Sequence, residues 1–188
     1  MKEQELASLC GKGDTAALEM LFRDYAPSLM GMCRRYVGNE NDAQDVFQDG
    51  FVRIIERIGS FDYRGEGSLK AWMMKVMMNE ALGFLRKRKN DVFLIDFLND
   101  ISSEDDSLRK PEEELVVAIP DEVILEFIMQ LPPGCRTVLN MYVFEGMGHD
   151  AIAETLNIGK QASIARLYRA RKMLTEKVST YLKHKNDV

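Results

Sequence analysis

The chain has 188 residues, 46% of them apolar and 29% charged, with a formal net charge of −5; this is a globular composition with room for one large domain or two small ones. No apolar run approaches the ~20 residues that span a bilayer, and the start MKEQELASLC lacks the apolar core of a secretion signal, so a cytoplasmic protein without membrane insertion is expected. Cys10, Cys33 and Cys135 are isolated and odd in number, and His149 and His184 have no partner at ligand spacing, so no disulfide, metal or other cofactor is expected.

Residues 2–36 read as one or two helices, broken by Gly11 and Gly13, with Asp14 as a cap. After a turn at Asn39–Asp42, with Asn41 or Asp42 as the next cap, a helix over Asp42–Ile58 is expected. It buries Ala43, Val46, Phe47, Gly50, Phe51, Ile54 and Ile58 and shows Asp45, Gln48, Asp49, Arg53 and Glu56 on its polar side.

Ser60–Asn90 is the most informative stretch. A loop with Tyr63, Arg64, Gly65 and Gly67 precedes a proline-free run of strong helix formers from Ser68, whose hydroxyl is placed to cap it. Turning each residue by ~100° gathers Met73, Met74, Met77, Met78, Ala81, Phe84 and Leu85 on one arc, the side to bury. Ser68, Trp72, Lys75, Asn79, Gly83 and Arg86 fall on the opposite stripe, followed by Arg86-Lys87-Arg88-Lys89. A tryptophan beside Lys and Asn can stack a base while the basic residues hold phosphates, and Gly83 lets a backbone come close. The plainer alternative packs Trp72 beneath the neighbouring loop and leaves the basic run as a solvated helix end.

The charge divides by segment. Residues 64–90 carry seven bases against two acids, residues 91–122 carry eleven acids against two bases, and residues 158–185 carry eight bases against one acid. Two basic blocks therefore flank an acidic strap, and a nucleic acid feels the local field rather than the sum. The strap reads as a linker, punctuated by Pro111 and Pro120, with a short helix expected at Val92–Leu98.

Beyond it, Val123, Ile124, Phe127, Ile128 and Leu131 give an amphipathic helix stopped at Pro132-Pro133-Gly134. Cys135–Phe144 gives a second helix, ended by Gly146. A short helix with Ala151, Ile152, Ala153 and Leu156, a turn through Asn157-Ile158-Gly159 and a longer basic helix then make a helix-turn-helix pattern. On its second helix Ser163, Leu167, Ala170 and Leu174 face inward. Gln161, Ala165, Tyr168, Arg169 and Lys172 face outward, small, amide and basic together, as a major-groove reader requires. A plain helical hairpin with a solvated basic side is the alternative. No nucleophile–base pair, metal cluster or phosphate-binding glycine loop stands out, so an enzyme is not expected.

The segments DAQDVFQDGFVRII, FDYRGEGSLKAWMMKVMMNEALGFLRKRK and EGMGHDAIAETLNIGKQASIARLYRARKML, in this order, resemble a bacterial RNA polymerase sigma factor of the two-domain extracytoplasmic-function group. The resemblance covers nearly the whole chain. It implies an all-α protein: a promoter-melting helical domain over residues 1–92, an acidic linker over 93–120 and a helix-turn-helix domain over 121–188. It also implies core RNA polymerase as partner, through the clamp helices of its largest subunit and the flap of its second largest, along with promoter DNA. The group often has an anti-sigma factor as well, and a monomer is expected when the protein is free.

By position, the resemblance assigns Asp42, Asp45, Gln48, Asp49 and Arg53 to polymerase contact. It assigns Phe61, Tyr63, Arg64, Ser68, Trp72, Lys75, Asn79 and Arg86 to the melted minus-ten element, with the Phe61–Ser68 loop receiving a flipped base. Lys160, Gln161, Ile164, Ala165, Tyr168, Arg169 and Lys172 go to the duplex minus-thirty-five element. Ile164, Ala162 and Gly148 depart from the Lys or Arg, Thr and Ser common in the group, which weakens the phosphate contacts expected upstream. Two other readings stay open: a stand-alone helix-turn-helix regulator, and a sigma-like adaptor that does not bind DNA.

Overall fold

The structure, a computed structural model, describes residues 2–88 and 119–186. The expected helix at Val92–Leu98 and the rest of the acidic strap up to residue 118 lie outside the described residues. The chain divides into two compact units, Met1–Lys87 and Arg88–Val188, and all regular elements among the described residues are helical.

The first unit holds α1 (Glu3–Gly11), α2 (Thr15–Val37), α3 (Glu40–Arg57), a 3-10 turn (Ile58–Ser60) and α4 (Ser68–Lys87). The chain leaves α1 through Gly13, at φ +79°, and Asp14 caps α2 by accepting from the Ala17 N–H at 2.9 Å. Pro27 lies inside α2 on its exposed side, and Gly38 closes the helix in the left-handed conformation. The cap of α3 differs from expectation. Asn39, in an extended conformation, accepts from the Asp42 N–H at 2.9 Å, so α3 begins two residues before Asp42.

The core of this unit is one apolar layer shared by α2, α3 and α4. Leu21, Met32, Tyr36, Ile54, Met73 and Met77 are wholly buried within it, each contributing roughly 1.5–3 kcal/mol relative to exposure. Two close approaches define the packing. A Cβ on Gly50 of α3 would collide with the Met77 sulfur of α4, and a Cβ on Gly11 would meet the Gly59 Cα at 2.8 Å. The α3–α4 seam is closed at its rim by an ion pair, Arg53 Nε to Glu80 Oε1 at 3.0 Å. Cys10 and Cys33 are buried free thiols, and burial pushes Cys33 up to about 12.

The second unit holds α5 (Asp121–Met129), α6 (Pro133–Leu139), α7 (His149–Leu156) and α8 (Lys160–Asn186). Pro133 takes the first helical position of α6, where its missing N–H costs nothing. Arg136 is buried, and its Nη1 donates to the Met129 and Leu131 carbonyls at 2.7 and 2.9 Å, satisfying the end of α5. That burial pushes its guanidinium down to about 10.

The segment expected as one helix over Cys135–Phe144 is α-helical only to Leu139 and then widens into a π turn, Asn140–Phe144. The buried Asn140 side chain donates to the Arg136 carbonyl at 2.8 Å, the same carbonyl that the Asn140 backbone N–H reaches, so the two donors share one acceptor where the helix widens. Five residues on, the Glu145 N–H donates to the Asn140 carbonyl, and Gly146 at φ +66° turns the chain out. The expected helix-turn-helix is present. Asn157 takes the left-handed conformation at φ 53°, and the Ile158 N–H closes onto the Ala153 carbonyl. Ile152 of α7 and Leu167 and Ala170 of α8 are buried in a core shared with Val138 and Met141.

Candidate nucleic-acid and polymerase interfaces

The loop from Phe61 to Gly67 and the start of α4 make the first surface. Gly65 and Gly67 adopt φ +120° and +84°, values that glycine tolerates best. Ser68 is not the cap expected for α4. Its hydroxyl turns back into the loop, donating to the Gly65 carbonyl at 2.6 Å and accepting from the Arg64 N–H at 3.3 Å. The acceptor at the head of α4 is instead Glu3 of α1, whose Oε2 receives the N–H groups of Gly67 at 2.9 Å and Leu69 at 3.4 Å. No sequence signal links residues this far apart.

Trp72 is half-buried rather than free, because the Phe61 ring lies against it at 5.5 Å between centroids, tilted by 50°. The two rings form a joint aromatic platform at the base of the loop. Tyr63 and Arg64 are exposed, and Arg64 pairs with its exposed neighbour Asp62, a contact worth little in water. Lys75, Asn79 and Arg86 are exposed along the same side of α4. Among the described residues, nothing outside the helix's own backbone and the chain neighbours lies within 4 Å of a Cβ built on Gly83.

The second surface is the outer face of α3. Asp45, Gln48 and Asp49 are exposed, whereas Asp42 is half-buried at the cap and Arg53 is tied to Glu80. The sequence reading missed the apolar centre of this face. Val52 is 55% exposed and Ile55 38% exposed. Phe22 of α2, also exposed, joins them through Phe51, with ring centroids 5.2 Å apart at 84°. The signal was present: Val52 lies four residues from Gln48 and three from Asp49, in the middle of the polar stripe rather than on the core arc. An apolar centre rimmed by acids is the anatomy of a protein–protein contact.

The third surface is the outer face of α8. Gln161, Tyr168 and Lys172 are exposed, and Ile164, Ala165 and Arg169 are half-buried. Lys160 is exposed and paired with Asp150 at 2.9 Å. Arg166, counted within the basic block of the sequence, is buried and does not lie on this face. Beside it, the His149 Nδ1 lies 2.9 Å from the Ser163 hydroxyl, which is wholly buried. The His149 ring stacks on Tyr142 at 4.8 Å, and the Arg171 guanidinium lies 5.6 Å from the other ring's centroid. Burial, then Lys160 and Arg171, hold the imidazole below its ordinary value.

Residues 21–90 match the family described as Sigma-70 region 2, and residues 121–174 match Sigma-70, region 4. The chain belongs to the sigma-70 family, in its extracytoplasmic-function branch. It is 27% identical to the ECF RNA polymerase sigma-E factor of Haemophilus influenzae, over 95% of this chain and 96% of that one. It is 26% identical to the RNA polymerase sigma-H factor of Pseudomonas aeruginosa, over 97% and 96%. Among solved structures, the sigma factor RpoE of Bartonella quintana, in complex with the anti-sigma factor NepR, superposes with a TM-score of 0.50 at 17% identity, covering 86% of this chain and 96% of that one; this likeness concerns the fold.

For a sigma factor, the first and second surfaces fall within the region 2 match and the third within region 4, apart from Glu3, which precedes the matched residues.

Proposed function

We propose that this sigma factor binds core RNA polymerase, directs it to a set of promoters and assists strand opening, without chemistry of its own. The observation that carries the reading is the order of two units in one chain: a looped, aromatic and basic region 2, then a region 4 helix-turn-helix. Melting needs a place for unstacked bases, where stacking on aromatic rings contributes roughly 1–3 kcal/mol per base. The Phe61–Trp72 platform and the Tyr63–Arg64 loop offer it, with Lys75, Asn79 and Arg86 along the strand's path. Duplex readout needs a helix presented to the major groove, and Gln161, Ala165, Tyr168, Arg169 and Lys172 offer that. A stand-alone regulator is not favoured, since it leaves the region 2 unit without a role.

In this reading the domains run over residues 1–92 and 121–188, joined by the acidic linker 93–120. The α3 face docks on the clamp helices of the largest subunit. Asp45, Gln48 and Asp49 are its polar rim, Val52 and Ile55 its apolar centre, and Arg53 and Asp42 hold the helix in place. The second unit sits at the flap of the second-largest subunit. The protein works in the cytoplasm, where the polymerase is, and is restrained by an anti-sigma factor, as RpoE of Bartonella quintana is found in complex with NepR.

Transcription from genomic DNA with purified core polymerase, followed by mapping of start sites, tests this. Addition of the chain is expected to produce a discrete set of starts absent with core alone. A pattern unchanged from core alone contradicts it.

A further inference from the structure

We propose that Glu3 is a positioning residue for promoter melting: its carboxylate fixes the Phe61–Ser68 loop in the shape that receives a flipped base. The inference rests on the base-receiving role proposed above and adds a residue outside both matched regions, since the region 2 match begins at residue 21.

The loop has little to hold it. Its two glycines sit at φ +120° and +84°, and a Cβ built on either would meet no atom of the described residues beyond its chain neighbours within 4 Å, so packing does not confine it there. Its internal bonds are local: Ser68 to Gly65 and Arg64, and Arg64 to Asp62. Among the described residues, Glu3 is the side chain that reaches it from a distant element, binding the Gly67 and Leu69 N–H groups through Oε2. Its other oxygen, Oε1, accepts from the Tyr25 hydroxyl of α2 at 3.4 Å, which orients the carboxylate from behind.

Three elements thus meet on one carboxylate, and its charge lies where the α4 dipole favours an anion. Removing it leaves first-turn N–H groups to water and loosens the Gly65–Gly67 backbone, then held only by the bonds of Ser68 to the Gly65 carbonyl and of the Ala71 N–H to the Gly67 carbonyl among the described residues. A loop that must order itself on binding a base binds it more weakly.

The test uses the holoenzyme assembled from the full chain and core polymerase. The probe is a labelled single-stranded non-template oligonucleotide bearing the melted element of a promoter mapped as above. A companion probe has an abasic site in place of the captured base, found by scanning each position. The wild type is expected to lose about 10-fold in affinity on the abasic probe. Glu3→Ala is expected to bind the intact probe about as weakly as the wild type binds the abasic one, and to lose little more on the abasic probe. Glu3→Gln, which keeps an acceptor oxygen, is expected to recover most of the discrimination.

Amide exchange in the free protein separates loosening from unfolding: Gly67 and Leu69 should exchange faster in Glu3→Ala while Met73 and Met77 stay protected. Full abasic discrimination by Glu3→Ala, or an equal loss on both probes, overturns the proposal. A wild type that transcribes selectively yet shows no abasic discrimination overturns the base-receiving role itself, and the proposal with it.

Discussion

His149 shows how one side chain ties the two helices of the reading motif together. It starts α7, reaches the buried Ser163 hydroxyl of α8, and stacks on Tyr142. Burial, then Lys160 and Arg171, depress its pKa from 6.5, with Asp150 pulling the other way. The unfolded chain therefore takes up the proton first. The stabilising contribution is present above the ordinary value and is lost as pH falls from there through the lowered folded-state value. Melting the wild type and His149→Gln between about pH 8 and pH 5 should show a steeper fall for the wild type; parallel curves contradict this.

Trp72 and Glu3 mark what the sequence could and could not show at this scale. Helical spacing put Trp72 on the stripe with Lys75 and Asn79, and the backbone agrees. That its ring is half-covered depends on where Phe61 lands after an irregular loop, which periodicity does not encode. Glu3 caps a helix that begins 65 residues later, and only the folded packing of α1 brings it there. Ser68, the local candidate, fits the cap pattern, but its hydroxyl is taken by the Gly65 carbonyl.

At the scale of elements, two glycines should respond to alanine with opposite signs. Gly11 approaches the Gly59 backbone so closely that an added Cβ would stand 2.8 Å from its Cα. Neither backbone can rotate away as a side chain would, so Gly11→Ala should lower stability by about 1–3 kcal/mol, as overpacking does. Gly83 lies inside α4 with open space around it, so Gly83→Ala should raise stability by roughly 0.5–1 kcal/mol through helix propensity. Thermal or denaturant melts of the two variants check both signs. If Gly83→Ala is more stable but initiates poorly, close approach of a DNA backbone to α4 is the reason.

The apolar arcs of α3 and α4, the break at Gly13 and the turn at Asn157 were legible, because each follows from spacing or from one residue's conformational preference. The π turn after Leu139 was not. It begins where the Asn140 amide and backbone N–H share the Arg136 carbonyl, a local arrangement that neither spacing nor composition marks.

At the scale of the whole molecule, each unit carries its own core, and the net charge of −5 conceals basic blocks in both. Promoter binding by the holoenzyme should weaken steeply as salt rises, through release of counterions from the phosphates that Lys75, Arg86, Arg169 and Lys172 are proposed to neutralise. Substituting Lys172 by alanine should reduce that salt slope by about one ion, measured by filter binding across a salt series.

The division of labour between the units is tested most directly by footprinting one mapped promoter with holoenzymes of three kinds. The wild type should protect an upstream duplex segment and render thymines near the start site reactive to permanganate. Trp72→Ala should keep core binding and upstream protection but lose most permanganate reactivity, while Tyr168→Ala with Lys172→Ala should lose the upstream protection and keep wild-type affinity for the single-stranded non-template oligonucleotide. Loss of both signals together in each variant, or of neither, would contradict a sigma factor whose first unit holds separated strands and whose second holds duplex.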